Sequence, residues 1–264
     1  MIFTLLAVAA IAWSASLVLS SFLPRYFTRR PLWILGAIVL LLGAISTVSD
    51  YRTIALRRRA PDSGVSIAVH DMGRWLQLRY VRDKTSFITA NELHVPAGAI
   101  VAIDWQGPVL AGWSAHDFFP LNNGRWSFIA RDSGIDEAWL IRLWPAPGCR
   151  RLLIVSDSPP EFERWFTNEA KPASASAPSF FTSCGCAYCH VIRGVAERPW
   201  KLAPDLTHFA ARRTIAETSL PNRRGFLAGW VIDSASLEPG SEMPRNRLAP
   251  AVLHKMLGYL ESLR

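Results

Sequence analysis

The stretch Cys186-Ala187-Tyr188-Cys189-His190 decides how the C-terminal third of this 264-residue chain is interpreted. Two thiols three positions apart, followed directly by a histidine, form the C-x-x-C-H pattern of covalent haem attachment. Each thiol can add to one haem vinyl group, and the adjacent imidazole can then lie beneath the iron as its proximal ligand. At this composition the pattern arises by chance in roughly one chain in seven hundred. The sequence therefore predicts one covalently bound haem c.

Two other kinds of site also use C-x-x-C, namely a redox dithiol and half of a zinc site. A zinc site needs two further thiolate or imidazole ligands in a matching arrangement. The remaining candidates have no paired spacing: Cys149, Cys184, His208 and His254. Haem is therefore favoured. A disulfide between Cys149 and Cys184 and a free thiol at Cys184 both stay open.

A six-coordinate haem needs a second axial ligand, usually Met or His. Met243 lies in the Gly- and Pro-punctuated loop PGSEMPRN, 53 residues beyond His190, and can return over the haem face. Met256 instead follows the apolar spacing of a packed C-terminal helix, so it is assigned to the core. The other candidates by type are Met72, His208 and His254. Met243 is favoured because a thioether ligand also raises the reduction potential.

The segment KPASASAPS, residues 171–179, separates the haem region from a β-rich region before it. Its Pro, Ala and Ser content and lack of an apolar period are typical of a linker. Residues 61–170 contain short β-branched and aromatic runs between turn residues, followed by a helix start at Ser158-Pro159. This predicts an antiparallel β-sandwich closed by a short helix. The strands are predicted at 65–81 (a hairpin), 92–96, 99–105, 125–130, 138–144 and 150–156.

The first 60 residues contain two long uncharged apolar runs, at about 2–23 and 32–49. Each is long enough to cross a hydrocarbon core of about 30 Å, which predicts a hairpin of two transmembrane helices. A cleaved signal peptide is disfavoured, because the positive charge follows the first run instead of preceding it.

The chain has a mean hydropathy of +0.15 and a net charge of +8, and the charge is unevenly distributed along the sequence. Residues 1–63 carry +5 and residues 180–264 carry +4, whereas residues 64–169 carry −2. No continuous basic stripe with interleaved aromatic residues is present, so nucleic-acid binding is not expected.

The whole layout resembles subunit II of the haem–copper terminal oxidases, in the caa-type form that carries a fused C-terminal cytochrome c. The resemblance rests on RPLWILGAIVLLL (30–42), GRWLQLRYV (73–81), NELHVPAG (91–98), CAYCHVIRG (186–194), APDLTHFAARRTIAETSLPN (203–222), LAGWVIDSASLEPGSEMPRNRL (227–248) and GYLESL (258–263). It implies a cupredoxin-like sandwich over residues 61–170 and an all-α class I cytochrome c domain over residues 180–264. It also implies thioethers at Cys186 and Cys189 and axial ligation by His190 and Met243.

The resemblance further implies an electron-transfer role in a respiratory chain. The chain would sit in the bacterial inner membrane with both termini and the soluble domains on the periplasmic side. Its partners would be subunit I and other oxidase subunits, membrane lipid, and a c-type cytochrome or another electron donor. Oxygen chemistry would take place in subunit I and not in this chain.

The chain departs from the family at the dinuclear copper site of the sandwich. That site needs two cysteines at C-x-x-x-C spacing, two histidines, a methionine and a glutamate carbonyl. Here the corresponding stretch LIRLWPAPGCRRLLIVSDSPPEF contains one cysteine, Cys149, and only His116 lies where a histidine ligand is expected. Two copper ions cannot be held by one thiolate and one imidazole, so the copper centre is predicted to be absent.

Three alternatives remain open from the sequence. The chain could be subunit II of a quinol oxidase or of a nitric oxide reductase of the same superfamily, or a stand-alone membrane-anchored cytochrome c. The electron donor, the terminal acceptor and the haem types of subunit I are not fixed by the residues.

Overall fold

The chain divides into two compact units, residues 1–60 and 61–264. The structure is a computed structural model that describes Leu41 and residues 61–107, 109–114, 118–120, 124–130, 132–142, 148–174, 176–197 and 202–264. Both predicted transmembrane runs, 2–23 and 32–49, lie outside the described residues except for Leu41. Within the described ranges, no helix combines the length and the apolar character that crossing a membrane requires.

Ten strands build two five-stranded sheets in residues 61–170, which we call the sandwich. The strands are β1 (Asp62–Asp71), β2 (Leu76–Arg82), β3 (Thr85–Ala90), β4 (Glu92–Pro96), β5 (Ile100–Gln106), β6 (Val109–Trp113), β7 (Phe118–Pro120), β8 (Arg125–Ile129), β9 (Gly134–Arg142) and β10 (Gly148–Asp157). One sheet has the order β3-β2-β1-β5-β8 and the other β4-β10-β9-β6-β7. Inward-facing residues of both sheets, such as Ile67, Leu78, Leu93 and Trp105, form one hydrophobic cluster.

The sandwich is not purely antiparallel, which corrects the prediction from the sequence. β1 pairs in parallel with β5, for example Ile67 with Ile103, and β10 pairs in parallel with β4, for example Ile154 with Leu93. The cause is the chain path: after the β2–β3 hairpin the chain crosses to the other sheet as β4 and then returns as β5. Such a crossing brings the returning strand in beside β1 with the same direction.

Helix α1 (Pro159–Glu169) closes one end of the sandwich. It begins where the sequence places Ser158 before a proline, and the Ser158 backbone N donates to Glu161 Oε2 at 3.2 Å. Phe162 and Phe166 are buried in the core, and the Trp165 ring stacks on the His94 imidazole at 4.3 Å between centroids. These contacts fix the last turn of α1, from which the chain continues towards the C-terminal module.

Residues 180–264, which we call the C-terminal module, surround a second hydrophobic cluster. Its helices in the described residues are α2 (Ser179–Ser183), α3 (Arg224–Leu237) and α4 (Pro250–Ser262). Helix α2 begins one residue before the module as defined, and α3 is interrupted at Asp233. Two 3-10 turns lie at Cys186–Tyr188 and Phe209–Ala211. It also contains a small antiparallel hairpin of β11 (Thr214–Ile215) and β12 (Leu220–Pro221).

The predicted fold class is therefore wrong. The described chain is mixed α and β, with four α-helices in the described ranges and several sheets, and the C-terminal module is not all-α. The reason is physical: β11 and β12 have two residues each, which is too short to give a strand pattern in the sequence. Residues 216–218 between them have positive φ values of 52°, 49° and 72°, so the backbone itself makes the turn without glycine.

Candidate haem site

The turn that carries the C-x-x-C-H pattern is compact and well hydrogen-bonded. Gly185 has a φ of +84° and starts the 3-10 turn of Cys186–Tyr188, in a conformation that glycine adopts without strain. The Cys186 carbonyl oxygen accepts from the backbone N of Cys189 at 3.3 Å and of His190 at 3.0 Å. The two thiols and the imidazole therefore come from one continuous turn, as attachment to a single planar group requires.

All four cysteines are free in the structure, so no disulfide joins Cys149 and Cys184. Cys184, Cys186 and Cys189 are half-buried, and Cys149 is exposed on β10. Burial raises the pKa of the Cys186 thiol, and the neighbouring Cys184 thiol adds to the shift. Burial therefore favours the neutral form of the Cys186 thiol.

The imidazole of His190 is oriented for metal ligation. Its Nδ1 lies 2.8 Å from the Pro204 carbonyl oxygen. Because a carbonyl oxygen can only accept, the hydrogen is on Nδ1, and Nε2 keeps its lone pair. Burial lowers the pKa of His190, which favours the neutral ring. A metal-bound histidine commonly donates its other ring N–H to a backbone carbonyl, so this arrangement fits a haem iron at Nε2.

Met243 lies in the loop between α3 and α4, and that loop is anchored on α3. Ser234 Oγ donates to the Met243 carbonyl oxygen at 3.1 Å, and the Asn246 backbone N donates to the Ile232 carbonyl oxygen at 2.8 Å. Met243 is half-buried. The described contacts hold His190 against the loop of Pro204 and hold Met243 against α3, and they do not join the two predicted ligands to each other.

The other candidate ligands have different surroundings. Met256 is 1% exposed in the core of the C-terminal module, and Met72 is 43% exposed at the end of β1. His208 Nε2 lies 3.0 Å from the Lys171 carbonyl oxygen, and its Nδ1 is buried without a hydrogen-bond partner among the described residues. His254 is exposed on α4, with Nδ1 3.2 Å from Arg224 Nη2. The preference for Met243 stays a prediction.

Apolar side chains near the turn and on α3 are exposed to an unusual degree. Tyr188 is 66% exposed, and Phe226, Ile232 and Leu237 are each between 38% and 42% exposed. Exposed apolar side chains gathered on one small module commonly mark a binding surface for a ligand or partner. A porphyrin is a large, flat, mostly apolar group, so these side chains agree with the chemistry of the C-x-x-C-H turn.

The C-terminal module is joined to the sandwich by a buried carboxylate on β4. Glu92 is 3% exposed. Its carboxylate accepts from the backbone N of Arg213 at 3.0 Å, and from the backbone N and the Oγ1 of Thr214 at 2.6 Å each. Hydrogen bonds to a charged acceptor are among the stronger ones in proteins. The start of β11 is therefore fixed on the edge of the sandwich.

Two arginines of β10 hold the turn at residues 216–218. Arg151 Nη2 donates to the Thr218 carbonyl oxygen, and Arg151 Nε lies 3.3 Å from Thr218 Oγ1. Arg150 Nε lies 3.4 Å from Glu217 Oε2, and Arg150 Nη1 lies 2.9 Å from Asp71 Oδ1. The left-handed backbone of this turn is thus held in place by the sandwich.

Carboxylates outnumber guanidinium groups where this turn meets the sandwich. Burial raises the pKa of Glu217 to about 7, an effect opposed by Arg150 and Arg74 and reinforced by Glu238 and Asp71. Burial also raises the pKa of Glu238. With three carboxylates facing two guanidinium groups, the cluster retains a proton up to about neutral pH.

The predicted absence of copper stays a prediction. His116 lies outside the described residues, and Cys149 has no disulfide partner. In the part of the chain that the structure describes, no group of three or more His, Cys, Asp or Glu side chains is arranged to hold a metal ion.

Sequence reasoning missed the residues that support His190 and the interface. A backbone carbonyl such as that of Pro204 leaves no signal in a sequence. Glu92 could have been noticed, because a carboxylate between apolar residues of a buried strand needs a compensating partner.

Comparison with known proteins adds no assignment. No family model matches this chain. A search of curated proteins also finds no match.

Proposed function

We propose that this chain is an electron-transfer subunit of a respiratory haem–copper oxidase, with one haem c bound covalently through Cys186 and Cys189. The observation that carries this proposal is the hydrogen bond between His190 Nδ1 and the Pro204 carbonyl oxygen. It leaves Nε2 as the ligand atom directly beside a turn that presents two thiols. A redox dithiol does not require an imidazole oriented in this way, and a zinc site would need further thiolate or imidazole ligands beside Cys186, Cys189 and His190.

In this proposal His190 Nε2 and the Met243 sulfur would hold the iron. The bound group supplies one-electron transfer between its ferrous and ferric states. The residues of the chain orient it: the 3-10 turn sets the direction of both thiols, Pro204 holds the imidazole, and Ser234 anchors the Met243 loop.

The proposed partners are subunit I, to which electrons pass, and a c-type cytochrome or other donor that supplies them. Since covalent haem attachment to C-x-x-C-H takes place outside the cytoplasm, the described domains would act on the periplasmic side. We propose that no dinuclear copper relay operates in the sandwich. The sandwich then serves as a scaffold, a role supported by the Glu92 and Arg151 contacts to the C-terminal module.

Haem attachment is tested by producing the full chain with a bacterial haem-attachment system and assaying covalent haem on a denaturing gel. Cys186→Ser together with Cys189→Ser should abolish the haem stain. Cys149→Ser and Cys184→Ser are matched controls and should retain it. Parent protein without covalent haem would contradict the proposal.

Axial ligation is tested by visible spectroscopy of haem-loaded variants. Met243→Ala should remove the methionine-to-iron charge-transfer band of the oxidised protein, and His190→Ala should give a high-spin spectrum or loss of haem. Met72→Ala and His254→Ala replace residues of the same types outside the proposed site, and their spectra should match the parent. A parent-like spectrum for Met243→Ala would refute the assignment of Met243.

The oxidase role is tested by oxygen uptake of the complex purified through this chain, with reduced cytochrome c and a quinol compared as donors. We expect uptake with cytochrome c, and its loss in Met243→Ala. Uptake with quinol alone would place the haem outside the main electron path. No oxygen uptake with either donor would favour the alternative function, a stand-alone membrane-anchored cytochrome c that carries electrons.

A further inference from the structure

The loop that accepts the His190 hydrogen bond is paired with the segment that follows His190. The Leu206 backbone N donates to the Val191 carbonyl oxygen at 2.8 Å. The Arg193 backbone N donates to Thr207 Oγ1 at 2.9 Å. These two hydrogen bonds join residues 191–193 to residues 205–207, and the Pro204 carbonyl directly precedes the second segment.

The carboxylate of Asp205 is buried in the second of these two segments. Its side chain is 2% exposed, and its Oδ1 accepts from the Thr207 backbone N at 2.8 Å and from Thr207 Oγ1. Its Oδ2 has no hydrogen-bond partner among the described residues. The group that compensates this oxygen is the Arg193 guanidinium, whose Nε lies 3.4 Å away.

The same guanidinium extends to the last turn of α1 in the sandwich. Arg193 Nη2 donates to the Glu169 carbonyl oxygen at 2.6 Å and lies 3.9 Å from Glu169 Oε2. The Glu169 side chain is 7% exposed, and that of Arg193 is 19% exposed. Arg193 thus bridges two buried carboxylates, Glu169 of the sandwich and Asp205 of the C-terminal module. The planar guanidinium has several N–H donors in a fixed arrangement, so it can contact two acceptors at once, which the single ammonium group of a lysine does less well.

We propose that Arg193 is a positioning residue for His190, which holds the Pro204 carbonyl in place by fixing Asp205 against the end of α1. Without the Arg193 guanidinium, Asp205 Oδ2 would lose its ion-pair partner, since the other nearby guanidinium, that of Arg212, donates to the Asp205 carbonyl oxygen. Removing one partner of a buried ion pair is strongly unfavourable, so the 204–207 loop would move to reach water. The Pro204 carbonyl would move with it, and the His190 Nδ1–H bond would lengthen.

This inference rests on the proposed haem site and adds a role for the sandwich. The strength of the hydrogen bond at Nδ1 sets how basic a ligating imidazole is. Through Arg193 and Glu169, the packing of α1 would therefore determine how firmly the proximal imidazole is held. The sandwich would contribute to the haem site without supplying a ligand.

The test is the solvent-exchange rate of the His190 Nδ1 proton, measured by NMR in the reduced, haem-loaded full chain. Arg193→Gln should accelerate this exchange tenfold or more. Arg193→Lys keeps a cation for Asp205 but loses the fork to Glu169, so we expect a smaller acceleration. A general loss of stability is monitored in parallel by the urea midpoint.

Arg82→Gln is the matched control, because Arg82 also pairs with a carboxylate of α1. Its guanidinium binds Glu163 at 2.5 and 2.8 Å and makes no contact with the C-terminal module in the described structure. This variant should leave the exchange rate unchanged.

An unchanged exchange rate in Arg193→Gln would overturn this inference. It would leave the proposed function intact, provided that the parent protein binds haem covalently. Parent protein without covalent haem would instead refute the proposed function. If Arg193→Gln does not accumulate in folded form, Arg193→Lys is measured instead. A His190 Nδ1 exchange rate in Arg193→Lys that is the same as in Arg82→Gln would then overturn the proposed role of Arg193.

Discussion

The stability of the soluble part of this chain should depend on the protonation of Glu217. Its carboxyl group lies 3.4 Å from Arg150 Nε and its side chain is 18% exposed. Arg74 also attracts it, whereas Glu238 and Asp71 repel it. The replacement Glu217→Gln keeps the shape of the side chain and removes the titration.

The sign follows from comparing the folded and unfolded states. The folded pKa is about 7 and the ordinary value is 4.5, so between these pH values the folded state retains a proton that the unfolded state has lost. The free energy of unfolding therefore falls as the pH rises from about 4.5 to about 7 and is constant above that range. The full shift corresponds to about 3 kcal/mol. Discounting it for solvent screening of a half-buried group leaves about 2 kcal/mol.

The assay is urea unfolding of the full chain at pH 5, 6, 7 and 8, followed by circular dichroism. Glu217→Gln should match the parent at pH 5 and exceed its free energy of unfolding by about 2 kcal/mol at pH 8. Glu137→Gln is the control, because Glu137 pairs with the neighbouring Arg151 at 3.1 Å but its side chain is 47% exposed. Parallel pH curves for the parent and Glu217→Gln would refute the reasoning.

Three further changes test the interface and the sandwich. Glu92→Ala leaves the backbone N–H groups of Arg213 and Thr214 without their acceptor, and should lower the free energy of unfolding by about 3 kcal/mol and speed trypsin cleavage after Arg213; a parent-like cleavage rate would count against the interface. Phe162→Ala empties a core position that is 1% exposed and should cost about 3–5 kcal/mol in urea unfolding, whereas Arg164→Ala on the exposed face of α1 should cost under about 0.5 kcal/mol. Asp83→Gly relieves a φ of +52° in the β2–β3 turn and should raise the thermal midpoint by an amount equivalent to about 0.5–1 kcal/mol; a lowered midpoint would show that the Asp83 side chain matters more than its backbone.

The elements that carried a clear sequence pattern have nearly the bounds predicted for them. The strand predicted at 92–96 coincides with β4, and the Ser158-Pro159 signal marks the start of α1 at Pro159. The apolar spacing around Met256 corresponds to α4. In each case a local feature decided the structure, either alternation within a strand, a proline at a helix start, or a helical period.

The errors arose where distant parts of the chain decide the structure. Strand β3 (TSFITA) was missed because it forms a hairpin with β2 through a turn at Asp83 that contains no glycine. The parallel pairing of β1 with β5 depends on a crossing between sheets that no local pattern records. Likewise, the sequence predicts the thiols and imidazole of the haem site, but not the Pro204 carbonyl or the Arg193 bridge.

The position of β10, between β4 and β9 in its sheet, has a consequence for how the protein is made. β10 pairs with β4 on one side and β9 on the other, and it also carries Arg150 and Arg151, which receive the C-terminal module. Because chains emerge from the N-terminal end and domains fold as units, the sandwich can be complete before residue 180 is synthesised. The receiving surface would then be formed before the segment that contains Cys186 and His190 exists. Docking of that segment, together with the proposed haem attachment, would be the last step of biogenesis, and a truncation within β10 would remove both the sheet and the platform for that step.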